Sequence, residues 1–192
     1  DKASMGSQIG IKISEAQVWT YVSTEFTITS GQLTISIWND GNAGNWMMAD
    51  NLELYKKDQP QVNYVKNGDF EPKEVPEGAP EKLAELPKVW QMWSDNGDFS
   101  QMFVAKGGKD STAAMGFVNA TKQAMSLTQT VTGLEDGVYI LAGYVKSSGG
   151  QNDAALLAKG FDKENMDSQI GAKIPQTDAW TYINMEFTIT SG

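Results

Sequence analysis

The 192-residue chain contains no cysteine, no histidine and no arginine. Without thiols there is no disulfide, no thiolate nucleophile and no cysteine-held zinc, and without imidazoles the His-based triads are excluded as well. The 15 cationic side chains are all lysines, set against 24 acidic residues for a formal net charge of −9. That balance lacks the cationic stripe that releases counterions from phosphate, so no nucleic-acid partner is expected. Long apolar runs are missing too. No stretch approaches the roughly eighteen residues of a membrane span, so no membrane partner is expected. Asp1 is not followed by a basic and then apolar leader, and any export signal is expected outside these residues.

What is present, first of all, is a repeat. At an offset of 161 residues, Asp1–Gly31 aligns without gaps on Asp162–Gly192, and 19 of the 31 positions are identical. Shared stretches include Ser7-Gln8-Ile9-Gly10 with Ser168-Gln169-Ile170-Gly171, and Trp19-Thr20-Tyr21 with Trp180-Thr181-Tyr182. The last seven residues of each copy, Glu25 to Gly31 and Glu186 to Gly192, agree throughout. Such a period is too long for a solenoid repeat and has the size of a whole domain. The chain therefore reads as a cut from a tandem array. Residues 1–58 are expected to be the C-terminal portion of one repeat and residues 59–192 the N-terminal and middle portion of the next, the two pieces completing one another. The polar, proline-bearing Asp58-Gln59-Pro60-Gln61 marks the junction. Two solutions are open: the chain closes on itself as a circular permutant with Lys56 to Asn63 as a hairpin link, or its opening segment completes a neighbouring molecule.

Most segments alternate apolar and polar residues at period two, between clusters of Gly, Asn and Asp, which predicts a nearly all-β chain. In Trp19 to Thr29, Phe26 and Ile28 share the inward parity. In the next strand Leu33, Ile35 and Ile37 face inward, and Trp38 shares the other face with Thr34 and Ser36. Asn39 to Asn45 reads as a loop, Leu52 and Leu54 as the apolar side of a closing strand, Tyr64-Val65-Lys66 as an opening strand, and Glu81 to Leu86 as a short helix. Further strands are predicted around residues 100–105, 113–119, 125–132, 138–146 and 154–159, with Gly133 to Gly137 as a turn. Eight or more short strands with long loops fit an antiparallel two-sheet β-sandwich, a jelly roll, better than a barrel or a propeller.

Four stretches carry a family likeness: Asn67-Gly68-Asp69-Phe70-Glu71; Leu127-Thr128-Gln129-Thr130-Val131 with Gly133-Leu134 and Gly137-Val138-Tyr139; the Trp180 strand ending in Phe187-Thr188-Ile189-Thr190-Ser191-Gly192; and Ala49-Asp50-Asn51-Leu52-Glu53-Leu54. Taken in order once the two pieces are joined, they resemble the carbohydrate-binding modules of the family 4/9 and 22 type, which are galactose-binding-like jelly rolls. The resemblance implies first and last strands lying side by side, with a structural Ca²⁺ near their ends. Glu71 and Asp50 stand where that family has its Ca²⁺ carboxylates, and Asp110 in Gly107-Gly108-Lys109-Asp110 is a further contributor; solvated turn acids are the competing reading.

Sugar rings stack on flat aromatic faces and hydrogen-bond to amides, hydroxyls and carboxylates. The candidates for that role are Trp90, Trp93, Phe99, Trp38, Trp46 and Tyr144. Trp90-Gln91-Met92-Trp93-Ser94-Asp95-Asn96, read as a loop, sets two indoles beside amide and acid groups. For each ring taken singly core packing competes, because large aromatics are usually largely buried, and Trp19 and Trp180 at strand starts are read as core caps. Gly107-Gly108-Lys109-Asp110-Ser111 lacks the upstream glycine and following helix of a phosphate loop, and no carboxylate pair is singled out for glycoside hydrolysis. The chain is accordingly read as a non-catalytic carbohydrate-binding module of a secreted or cell-surface bacterial protein, with a glycan as partner and Ca²⁺ as a structural ion. The alternative is a structural spacer or filament-forming repeat that self-associates head to tail by strand complementation with neighbouring repeats or molecules. Exposure of Trp90, Trp93 and Trp38 on one face favours the first; burial favours the second.

Overall fold

The computed structural model describes residues 23–28, 31–72, 82–84, 89–165, 167, 169–174 and 176–183. Within them lie twelve β-strands, numbered along the chain, and no helix. One sheet runs, in spatial order, β1 (Ser23–Ile28), β9 (Gly137–Ser147), β3 (Trp46–Lys56), β7 (Ala113–Val118), β6 (Met102–Lys106) and β4 (Lys82–Ala84), with β12 (Thr177–Ile183) also paired to β9. The other runs β11 (Gln169–Lys173), β10 (Asp153–Lys159), β2 (Gln32–Gly41), β8 (Gln123–Thr132) and β5 (Gln91–Ser94). Every pairing between these strands is antiparallel. The architecture is an all-β two-sheet sandwich with the interleaved strand order of a jelly roll.

Alternation along the strands builds the core, since successive side chains point to opposite faces. On β2, Leu33, Ile35 and Ile37 are buried, as their parity predicts, while Thr34 and Trp38 face outward. A single apolar cluster receives Ile35 and Leu127 from one sheet and Met47, Phe117 and Tyr139 from the other. Each such side chain, fully buried, contributes about 1.5–3 kcal/mol relative to exposure. Tyr139 also donates its hydroxyl to Glu135 O at 2.9 Å, so its polar end is not stranded.

Strands from the opening part of the chain take interior places: β2 lies between β10 and β8, and β3 between β9 and β7. After β3 the chain turns, with Gln59 N donating to Lys56 O and Val62 N to Gln59 O. It then runs back along β3, where Tyr64 N donates to Leu54 O at 2.8 Å and Leu52 N to Gly68 O at 2.9 Å. Asn63 stitches the return, accepting from Leu54 N and donating to Leu52 O. Residues 64–66 thus occupy the neighbouring position expected of them but form no regular strand.

Three local expectations change. Asn39 to Gly41 is not loop but the end of β2, because Asn39 is buried and its Nδ2 donates to Asn119 Oδ1 at 2.7 Å. Gly41 fits there because a Cβ would lie 2.2 Å from Asn119 Oδ1. Lys82–Ala84 is a strand paired to β6 rather than part of a helix; the backbone groups of a sheet edge override weak helix propensity. The rest of 81–86 lies outside the described residues. Gln91–Ser94, read as loop, is the edge strand β5.

Candidate functional site

Two indoles meet on the outward face of the five-stranded sheet. The register sets Trp38 of β2 and Trp93 of β5 on either side of the same residue, Ser126 of β8. Serine is too small to fill the space between them, so the rings lean together over it, with centroids 5.8 Å apart and planes inclined by 27°. Ser126 is buried as a result. Trp93 remains 48% exposed, and the half-buried Trp38 backs it. Because each ring covers a face of the other, the pair presents one aromatic platform rather than two.

Polar groups flank this platform along β2, β8 and β5, whereas across β10 its neighbours are the buried Ala155 and Leu157. The next outward row across the strands is Ser36, Thr128 and Gln91, and beyond it the hydroxyls of Thr34 and Thr130 lie 3.2 Å apart. Three buried polar atoms on this face, Ser36 Oγ, Trp38 Nε1 and Asp153 Oδ1, lack a hydrogen-bond partner. The last lies 3.2 Å from Lys173 Nζ, an ion pair without hydrogen-bond geometry. A buried polar atom left unsatisfied costs about 1–3 kcal/mol, a cost this face carries at Ser36 and Trp38. Lys159, level with Thr34, has its ammonium pushed below the usual lysine range by burial.

Trp90 does not join this group. It is only 5% exposed, its ring lies 5.5 Å from that of Phe70 in the core, and its Nε1 donates to Asn67 O at 3.1 Å. The two indoles expected to sit together in one loop instead point to opposite sides of the sheet, Trp90 inward just before β5 and Trp93 outward within it. Trp46 and Tyr144 belong to the other sheet. Trp46 lines a pocket of about 570 Å³ with Met48, Phe103, Lys106 and Val118. Tyr144 lies opposite Asp50 and Tyr182, its ring 4.6 Å from that of Tyr182, and lines a polar pocket of about 350 Å³ with Asn51, Glu53, Asn67 and Asp69. Burial pushes the Glu53 carboxyl up, and the Tyr182 hydroxyl opposes that shift. Phe99 is exposed, Trp180 is buried with Lys146 Nζ 5.3 Å from its ring centre, and Trp19 lies outside the described residues.

The carboxylates Asp50 and Glu71 converge on the loop from Gly107 to Ala113. Asp50 is fully buried beside a bulge in β3. Its Oδ2 accepts from Lys109 N at 2.6 Å and Ser111 Oγ at 2.9 Å, and its Oδ1 accepts from Asn51 N at 2.8 Å. Glu71 Oε1 accepts from Ala113 N at 2.8 Å. Burial pushes the Asp50 carboxyl up to about 6; the three hydrogen bonds pull it down, and the charge of Glu71 adds to the rise. Gly108 lets the loop close in, since a Cβ there would stand 2.0 Å from Ser111 Oγ and 2.7 Å from Asp50 Oδ2. Asp110, in contrast, is exposed and pairs with Lys109. Among the described residues no group of three or more acidic side chains is arranged to hold a metal. Asp50 and Glu71 thus hold one loop through hydrogen bonds from its backbone, while Asp110 on the same loop is exposed.

Sequence reading missed the residues that frame the platform. Ser126 and Thr128 were legible as the outward parity of β8, but nothing in one strand says which strands flank it. No protein-family model matches this chain, and no curated protein or solved structure matches it either.

Proposed function

We propose that this jelly roll is a non-catalytic carbohydrate-binding module, of the family 4/9 and 22 type that its sequence resembles, in a secreted or cell-surface bacterial protein. The observation that carries the reading is the Trp93 ring, exposed and backed by Trp38 on a sheet face lined with hydroxyl and amide side chains. An indole face matches the C–H face of a pyranose, and the accessible side chains of Thr128 and Gln91 beside it match its hydroxyls. A single platform suits one sugar ring. Affinity is then expected to rise little as the oligosaccharide lengthens. A Ca²⁺ ion held by Asp50 and Glu71 has a structural role in this reading, fixing the Gly107 to Ala113 loop against β3.

The two parts of the chain, residues 1–58 and 59–192, are in the same reading complementary pieces of one repeat. Support comes from β2 and β3 lying inside sheets otherwise made by later strands. The rival, a spacer or filament repeat, draws on the pairing of β1 and β12 with β9. Calorimetric titration with the sugars that score on a glycan array separates the two: saturable binding supports the module, and none across plant, host and microbial glycans supports the spacer.

A further inference from the structure

Two strands share one side of β9. β12 pairs with its second half, ending with Ile183 opposite Gly143. β1 takes over at the next residue, with Ser23 opposite Ala142 and Ile28 opposite Gly137. One period of 161 residues carries Ser23 onto Asn184 and Ile28 onto Ile189. β1 therefore fills, residue for residue and in the same register, the six places on β9 that β12 would reach by running on.

The two segments read Ser-Thr-Glu-Phe-Thr-Ile and Asn-Met-Glu-Phe-Thr-Ile, identical in their last four residues. A strand with the same side chains in the same register makes nearly the same contacts, so replacing one by the other costs little. The position is at the edge of the sheet, where a strand leaves without opening the interior. Residues 184–189 follow directly on β12, so their arrival closes no new loop.

We propose that the β9 edge from Gly137 to Ala142 is a strand-receiving site that exchanges its occupant between residues 23–28 and residues 184–189 of the same chain. Occupation by the second segment turns β12 into one continuous strand and releases the first, still tethered to β2 through residues 29–31. The exchange is independent of sugar binding, since the Trp93 face is on the other sheet.

The chain has no cysteine, so introduced thiols report unambiguously. Glu25 lies opposite Ile140, and Glu186 is its equivalent one period on. Directly opposed residues on paired strands are close enough for a disulfide. A triple variant, Glu25→Cys, Ile140→Cys and Glu186→Cys, is oxidised and its crosslinks are mapped by mass spectrometry. Both the 25–140 and the 140–186 bonds are expected within single chains. Adding Phe187→Ala is expected to lower the 140–186 bond at least about tenfold, and Phe26→Ala to raise it. Because either occupant completes the sheet, a destabilised variant still reports through the other bond. A 25–140 bond alone, or 140–186 bonds found only between molecules, overturns the proposal.

Discussion

Gln129 grips the backbone of Lys66 from both sides, its Oε1 accepting from Lys66 N and its Nε2 donating to Lys66 O, each at 2.9 Å. This buried amide imitates a strand partner for a segment that forms no strand. Gln129→Leu keeps the volume and removes both bonds. A loss of about 1–3 kcal/mol in unfolding free energy is expected, read as a lower urea midpoint at unchanged slope. An unchanged midpoint means that the segment is held by other contacts.

Asp50 gives stability a pH dependence of definite sign. Its carboxyl is pushed up to about 6 in the folded protein from an ordinary value of 3.8, so between those values the folded state binds more protons than the unfolded chain. This group's contribution therefore falls as pH rises from about 4 to about 6 and levels off above. Asp50→Asn removes the titration. In metal-free thermal melts the stability difference between variant and parent is expected to shift towards the variant across that window. Calcium at neutral pH is expected to raise the melting temperature of the parent and not of the variant, since a bound cation stabilises only the state that holds it. Parallel pH profiles for the two proteins contradict the assignment to Asp50.

Gly108 is needed for closeness rather than for an unusual backbone angle. Its missing Cβ would meet Ser111 Oγ at 2.0 Å and Ala113 O at 2.1 Å. Gly108→Ala is expected to cost about 1–3 kcal/mol by overpacking and to weaken the calcium-dependent rise in melting temperature. A melting curve identical to the parent's shows that the loop gives way freely.

The sequence made the core of this fold legible wherever one strand carries its own alternation. Leu33, Ile35 and Ile37 lie inward and Trp38 outward, because period two is a property of a single segment. Asn39 was not legible as a strand residue, because its burial depends on the amide of Asn119, distant in sequence. Trp90 and Trp93 could not be separated for a similar reason: β5 is four residues long and gains its register only from β8. Asp50, Glu71 and Asp110 were named together by family likeness, and the exposure of Asp110 beside Lys109, at φ 55°, is a property of loop geometry that spacing does not show.

The most direct measurement is glycan binding by the parent chain and by Trp93→Ala, compared on an array and then by calorimetric titration, with melting curves run alongside. Trp93 is half exposed on an edge strand, so its removal is expected to leave the melting temperature within a few degrees. Saturable binding by the parent and its loss in Trp93→Ala is the predicted result. Equal binding by the two proteins, or none by the parent, contradicts a sugar site on this face.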